Sequence, residues 1–541
     1  MQVPFWSRTA KPSTGHSRRD FFRRGALATA TMALGGRIRR AVAAPLEYGA
    51  NLYRSIGVKT LINAKGTFTI ITGSQTLSEV KRAMDDASRA YVQMDELMDG
   101  VGRRLAELTG AEWGIVTAGC CAALTHCTAA CIAGSNPERM QRLPNLEGLK
   151  SEVVIPAYSR NVYDHAIRML GVNIVTVSDA SQLESAFNER TAMAYILGGP
   201  GDDGPLGTRV VAETAKRHSV PVIVDAAAEI LTIPNVHLQR GATAVAYSGG
   251  KCIRGPQAAG LLLGEKNLLQ AAWANSAPHH AFGRSLKVGK EEIMGMLAAV
   301  EMWVKRDHQA EWKLWESWLE TISARVRQID GVTAVIRQPS ADLSNRSPSL
   351  IIQWDGARSG ITGQELSKLL LDAEPRVELA SAHGSRPENM ASSASIVAYM
   401  LMPGDEKTIA ERLYAALSNP PKFENPAPPQ GEPADVAGQW EVRIEFERGS
   451  TIHTLFIEQH GNKLVGTHRG EFYSGDLNGT VAANTVRFRS LHPAEGTRLS
   501  YDFTGTVDGD KMAGAVNLDE YGEALWKAQR HQYATGGRRG G

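Results

Sequence analysis

Between residues 45 and about 325, short apolar runs alternate with helix-length amphipathic segments. The runs at 113–117, 152–155, 172–177, 192–197, 220–224, 242–247 and 260–263 are almost continuously apolar. Strands of that kind belong to a mainly parallel sheet buried on both faces, because a strand with one wet face would alternate. Helical spacing follows at segments such as 164–170 and 208–218, so residues 44–329 read as one α/β domain. Its last part, 290–329, predicts a long amphipathic segment carrying Trp303, Trp312, Trp315 and Trp318, a packing face for the large domain or a second subunit. From 330 to 418, a strand (349–354), a helix (362–372), a strand near 396–401 and a closing helix (405–417) predict a smaller α+β subdomain.

A Pro-rich linker, 419–436, then separates this region from one of a different period. Trp440, Val442, Ile444 and Phe446 alternate with Glu441, Arg443, Glu445 and Glu447, as in a half-buried strand. The stretch from His460 to Gly466 echoes that from Asp508 to Gly514, and both read as hairpin turns entering a strand. Residues 437–530 therefore predict an antiparallel barrel or sandwich of six to eight strands, whose job is to bind a small apolar ligand or to pack on the catalytic domain. A Gly/Arg tail, 531–541, is expected to be disordered.

Charge is uneven along the chain. The net charge is +2, but nine of the 59 basic residues and one of the 57 acidic ones fall within residues 1–43, leaving −6 on the rest. That balance speaks against a nucleic-acid partner. Arg18, Arg19 and Phe21, the apolar run 25–36 and Ala41-Val42-Ala43 have the layout of an export signal, similar to the twin-arginine type. The expectation is a periplasmic or secreted protein, and with no stretch reaching 18 apolar residues, no stable membrane insertion. Four of the five cysteines, Cys120, Cys121, Cys127 and Cys131, share one predicted helix with spacing that suits neither a disulfide framework nor a zinc site; they and Cys252 read as small packing residues, and no metal is expected.

Candidate chemistry concentrates between 222 and 260. Val222-Ile223-Val224-Asp225 is an apolar strand ending in an acid, and ligands of open α/β sheets lie at such carboxyl ends. One strand later, Ser248-Gly249-Gly250-Lys251 places an amine in a glycine-rich loop beside a hydroxyl. Pyridoxal phosphate requires this pairing: the lysine forms the Schiff base, and the acid neutralises the protonated pyridine nitrogen. Upstream, strand 113–117 runs through Ala118-Gly119 into a helix of small residues, where free N–H groups suit a phosphate.

These segments resemble a known family. Ile62-Asn63-Ala64-Lys65-Gly66-Thr67, Leu105-Ala106-Glu107-Leu108-Thr109-Gly110-Ala111-Glu112, Thr117-Ala118-Gly119, Asn161-Val162-Tyr163-Asp164-His165-Ala166, Val222-Ile223-Val224-Asp225-Ala226-Ala227, Ser248-Gly249-Gly250-Lys251, Arg254-Gly255-Pro256-Gln257 and Lys287-Val288-Gly289-Lys290-Glu291-Glu292 occur in the order of the fold-type I pyridoxal phosphate enzymes. The branch is the one similar to L-seryl-tRNA selenium transferase and to ammonia lyases acting on phosphorylated amino-sugar acids, and the resemblance spans roughly residues 50–415. It implies Lys251, Asp225 and His165 as catalytic residues, with Ala227 on one ring face and Ser248, Gly119, Cys120 and Cys121 on the phosphate. On the substrate side it implies Asn63, Thr67, Asn161, Arg254, Gln257, Arg284 and Arg376, with Asn63 and Thr67 expected to reach the pocket from a second subunit of a homodimer or higher oligomer. Relatives often carry Ala where this chain has cysteine after Gly119. The expected reaction is a lyase-type β-elimination on an amino acid or amino-sugar acid. Transamination, racemisation, aldol cleavage, or binding without turnover by an exported protein of the same fold are the alternatives.

Overall fold

The computed structural model describes residues 45–387, 389–425 and 430–532. The export-signal segment and most of the Gly/Arg tail lie outside the described residues. The described residues divide into two compact units, one from 61 to 425 and one joining 45–60 to 430–532.

In the first unit, β1 (Leu61–Ala64) is followed by β2 (Trp113–Thr117), β3 (Glu152–Pro156), β4 (Asn173–Val177), β5 (Thr191–Leu197), β6 (Val222–Asp225), β7 (Ala244–Ser248) and β8 (Gly260–Gly264). Among the described residues, β2 to β8 form one seven-stranded sheet in the order β2-β8-β7-β6-β5-β3-β4. Only β8 runs antiparallel to its neighbours; the pairs from β7 to β4 are parallel. Helices cover both faces, so β2, β3, β6 and β8 are buried at every position, which is why their sequences do not alternate. The strand read as 220–224 starts two residues later, at Val222, whose N–H is taken by the Thr243 hydroxyl while the Pro221 carbonyl accepts from Ala194.

The segment 290–329 is two helices, Lys290–Lys305 and His308–Val326. Arg306 is extended, and the Asp307 carboxylate accepts from the N–H groups of Gln309 and Ala310, so a local cap ends the run. Trp303 thereby joins the core of the large domain and Trp318 that of the small subdomain. The small subdomain holds β9 (Thr333–Arg337), β10 (Ser349–Asp355), β11 (Arg376–Leu379), β12 (Ser381–Ser385) and β13 (Asn389–Val397). Four of these form a sheet ordered β12-β13-β10-β9, while β11 pairs in parallel with β1. Its second expected strand thus lies earlier than 396–401, and residues 398–401 turn instead. No helix among the described residues is long and apolar enough to cross a membrane.

The second unit contains β14 (Gly438–Glu445), β15 (Ser450–His460), β16 (Lys463–Arg469), β17 (Ser474–Ala482), β18 (Thr485–Ala494), β19 (Thr497–Asp508), β20 (Lys511–Asn517) and β21 (Glu523–Arg530), closed into an antiparallel barrel. Closure leaves no free sheet edge. The alternation at 440–444 is inward and outward around this wall: Trp440, Val442 and Ile444 are buried and Glu441, Arg443 and Glu445 exposed. Both echoed segments are hairpins, with Gly461 and Gly509 at φ +63° and +56°. Val436, at the end of the expected linker, is buried in the barrel core, and Phe423 packs on the core of the small subdomain. The barrel interior also holds three imidazoles: His453 Nδ1 lies 2.8 Å from His468 Nε2, and the rings of His468 and His492 are 4.3 Å apart.

Candidate active site

The site forms where β6 and β7 end. Asp225 closes β6 and is buried. Its Oδ1 accepts from the Ala227 N–H at 3.0 Å and from the Cys120 thiol at 3.4 Å; its Oδ2 accepts from the Tyr195 hydroxyl at 3.0 Å. Burial pushes its carboxyl up, and the Ala227, Tyr195 and Cys120 donors and the Lys251 charge pull it back. The Lys251 amine is therefore within electrostatic reach of the carboxylate, and it also lowers the Cys120 and Cys121 thiols against the burial that raises them. Lys251 itself is half-buried in the turn after β7, where its carbonyl accepts from the Arg254 N–H at 2.9 Å.

A third element arrives from β2. Gly119 has φ +86°, a conformation natural to glycine, and starts the Cys120–Ala133 helix with no side chain capping it. A Cβ on Gly260, across the β2–β8 pair, would fall 2.4 Å from the Gly119 carbonyl carbon, so two glycines bring the helix start against the sheet. Cys120 and Cys127 are buried in the core of the large domain, as small packing residues should be, whereas Cys121 is exposed at that helix start, so it does not pack as the spacing suggested. Ser248, the last residue of β7, donates its N–H to the Ala227 carbonyl at 3.4 Å, which joins the loops carrying Asp225 and Lys251.

The other expected site residues are dispersed around this centre. Asn161 Nδ2 donates to the Ser159 carbonyl and, at 3.0 Å, to Tyr195 Oη, while its Oδ1 accepts from the Tyr163 N–H. His165 is exposed at the start of a short helix. The Gln257 side-chain amide lies against the carbonyls of Thr72 and Gly250, and assigning its nitrogen to face them, at 3.2 and 3.3 Å, satisfies both and braces the loop around residue 73 against the lysine turn. Arg254 holds φ +57° and donates Nε to the Gln75 carbonyl at 3.0 Å; burial lowers its pKa, and Arg306 nearby adds to that. Asn63 spends its side chain on its own loop, accepting from the N–H groups of Lys65 and Gly66 and donating to the carbonyls of Gly66 and Gly73. Thr67 is buried against Tyr399, whose hydroxyl lies 3.2 Å from its Oγ1. Arg284 is exposed, and Arg376, at the start of β11, donates Nε to the Leu371 carbonyl at 2.6 Å.

The chain is 32% identical over 302 residues to D-glucosaminate-6-phosphate ammonia lyase of Salmonella typhimurium (strain 14028s / SGSC 2262), covering 54% of this chain and 79% of that protein. The chain belongs to that enzyme's family. A solved structure of D-glucosaminate-6-phosphate ammonia-lyase superposes with a TM-score of 0.60 at 26% identity, covering 69% of this chain and 100% of that one. The chain is also 29% identical over 353 residues to 5'-C-glycyluridine monooxygenase-decarboxylase of Streptomyces sp, 60% of this chain and 83% of that protein. A shorter match, 30% over 108 residues and 22% of the relative, is to L-seryl-tRNA(Sec) selenium transferase of Proteus mirabilis (strain HI4320). No family model matches the chain. Membership makes the first unit a fold-type I pyridoxal phosphate enzyme, of lyase or transferase class.

The residues present fit the cofactor of the family. A buried strand-end carboxylate meets a ring cation, and the uncapped helix start after Gly119 offers N–H groups to a phosphate. Ser74 Oγ, whose own N–H donates to the Gly250 carbonyl, is buried without a hydrogen-bond partner among the described residues. Sequence reasoning missed Tyr195, concealed inside the apolar run of β5, and Glu229, four residues after Asp225. Glu229 accepts from His237 Nε2 at 2.6 Å, and His237 Nδ1 lies 3.3 Å from Asp202. Burial lowers the His237 pKa, but its Asp202 and Glu229 partners outweigh that and raise it to about 9. A hydroxyl-bearing ring inside the otherwise apolar run of β5, the strand paired with β6, is the one trace Tyr195 leaves in the sequence, and Glu229, in the turn after β6, leaves none.

Proposed function

We propose that the first unit binds pyridoxal phosphate on Lys251 and Asp225 and acts as a lyase on an amino-sugar acid, releasing ammonia. The observation that carries this is the buried Asp225 carboxylate, held by three donors within electrostatic reach of the Lys251 amine, in a chain of the ammonia lyase family. When bound, the cofactor supplies the electron sink that makes a Cα proton removable. Asp225 holds the ring-nitrogen proton, and the helix start at Gly119 with Ser248 anchors the phosphate. Lys251, or His165 if a second subunit covers it, moves the Cα proton as the β-hydroxyl departs as water, and hydrolysis of the dehydrated product then gives ammonia and a keto acid. Arg254 and Arg284 supply cations for a carboxylate or phosphate on the substrate.

Borohydride reduction with the cofactor present, followed by peptide mapping, should mark Lys251 and leave a Lys251→Ala chain unmarked. Incubation with D-glucosaminate 6-phosphate and a panel of amino-sugar acids and amino acids should release ammonia. No labelling at any cofactor concentration overturns the proposal; carbon dioxide in place of ammonia would move the reaction to the type named by the Streptomyces relative. We further propose a homodimer, supported by the exposed Phe68, Ile70, Tyr158 and Tyr163 beside the site residues, and export by the twin-arginine route. Light scattering on the purified chain and fractionation with an Arg18→Lys/Arg19→Lys variant test these two points.

A further inference from the structure

The hydrogen bonds around Asp225 determine more than its position. Each carboxylate oxygen has two acceptor sites. Oδ1 fills both of its own with the Ala227 N–H and the Cys120 thiol. Oδ2 uses one for Tyr195 and keeps one. The direction of the Tyr195 hydrogen is also fixed. Asn161 Nδ2 donates to Tyr195 Oη, so that oxygen accepts there and its single hydrogen goes to Asp225. Asn161 cannot reverse, because its Oδ1 takes the Tyr163 N–H while Nδ2 also serves the Ser159 carbonyl. The chain of donors Asn161 to Tyr195 to Asp225 thus begins at backbone groups and ends on the carboxylate.

We propose that Tyr195, oriented by Asn161, and Cys120 are positioning residues that keep Asp225 ionised and leave one acceptor site, on Oδ2, for the ring nitrogen of the cofactor. This rests on the reading that pyridoxal phosphate binds at Lys251. It gives Asn161 a task one step removed from the substrate, and it gives Cys120 a chemical role, since its thiol has a hydrogen to donate to Asp225. A donor to a buried carboxylate favours the charged form, and removing one leaves the charge under-solvated by about 1.4–2.7 kcal/mol. That corresponds to a change of roughly 10- to 100-fold in affinity for a ligand that needs the charge.

The test uses the full chain, titrated with pyridoxal phosphate and followed by the visible absorbance of the lysine-bound cofactor across pH. Tyr195→Phe, nearly isosteric, should weaken binding about 10-fold or more and shift the pH at which the absorbance titrates. Cys120→Ala should weaken it by less, because a thiol is a weak donor, and Cys120→Ser should restore or exceed the wild-type affinity. Asn161→Asp, which turns a donor into an acceptor and draws the Tyr195 hydrogen away, should match Tyr195→Phe. Circular dichroism and the urea midpoint identify any variant that fails to fold, and the Cys120 pair, differing by one atom group, then decides. If the wild type takes the cofactor on Lys251 while Tyr195→Phe and Cys120→Ala keep its affinity and pH profile, the positioning role is overturned and the cofactor reading stands. If the wild type takes no cofactor, both fall.

Discussion

His126 makes the first unit acid-sensitive by an amount that the structure sets. The ring lies on the Cys120–Ala133 helix, is 2% exposed, and has no hydrogen-bond partner on either nitrogen among the described residues. Burial pushes its pKa down to about 4, against a small opposing effect from the Gly283 backbone. The unfolded chain binds the proton near pH 6.5 and the folded chain near 4, so stability is full above 6.5 and falls as the pH drops through that window. At 1.36 kcal/mol per unit, lowering the pH from 7 to 4.5 costs about 2.5 kcal/mol from this group alone. For a unit of roughly 370 residues that is about 3 °C in melting temperature. His126→Leu removes the titrating group and an unsatisfied ring from an apolar site, so it should be neutral or stabilising at pH 7. Calorimetry of both proteins at pH 7 and 4.5 isolates the effect, because every other group titrates alike in the two. The wild type should lose about 3 °C more than the variant on acidification; parallel losses, or a larger loss in the variant, would refute the reasoning.

Three other perturbations probe separate parts of the molecule. In the barrel, burial and the neighbouring His492 hold the His453 pKa down to about 4, so folding there should weaken by roughly 3 kcal/mol as pH falls from 6.5 to 4, read as faster hydrogen exchange in β15 and β16 peptides; exchange that tracks only the intrinsic rate would count against it. His237→Leu strands the buried Glu229 carboxylate, while Asp202 keeps its Arg240 and Thr208 partners, and should cost about 3–5 kcal/mol by urea unfolding at pH 6. Because the His237 pKa is raised to about 9, the wild-type advantage should be complete below pH 6.5 and disappear as pH rises through 9. Gly260→Ala forces the Gly119 backbone to move, its carbonyl carbon being 2.4 Å from the new Cβ, and should weaken cofactor binding at least about 10-fold in an absorbance titration.

The parts of the fold that the sequence made legible are those where one physical constraint dominates. β2, β3, β6 and β8 are wet on neither face, and their unbroken apolar runs appear at the expected places. In the barrel, strict alternation marks β14, and glycines with positive φ mark the hairpins. What stayed hidden depends on partners distant in sequence. β11 and β12 carry no continuous apolar run; β11 exists because β1, more than 300 positions earlier, pairs with it from Leu61↔Arg376 to Ala64↔Leu379. The division of 290–329 into two helices turned on the Asp307 carboxylate, a local cap in the middle of a pattern whose periodicity suggested continuity.

The same distinction explains the site. The placement of Asp225 and Lys251 was legible because an acid closing an apolar run and a lysine in a glycine-rich turn are both local patterns. The groups that condition Asp225 obey no such local rule. Tyr195 occupies a position in β5 where any large apolar residue would satisfy the core, and Cys120 occupies one where any small residue would fit the helix start. Only the folded geometry shows that both place a hydrogen on one carboxylate. Asn63 illustrates the converse, for it lies in one of the motifs that carry the family resemblance, yet its four hydrogen bonds go to the backbone of its own loop. A polar residue in a site motif therefore acts on substrate only if its donors and acceptors are not already committed, and in this chain that test separates Arg254, whose Nε alone has a close oxygen partner, from Asn63 and Asn161, whose side chains are engaged at both ends.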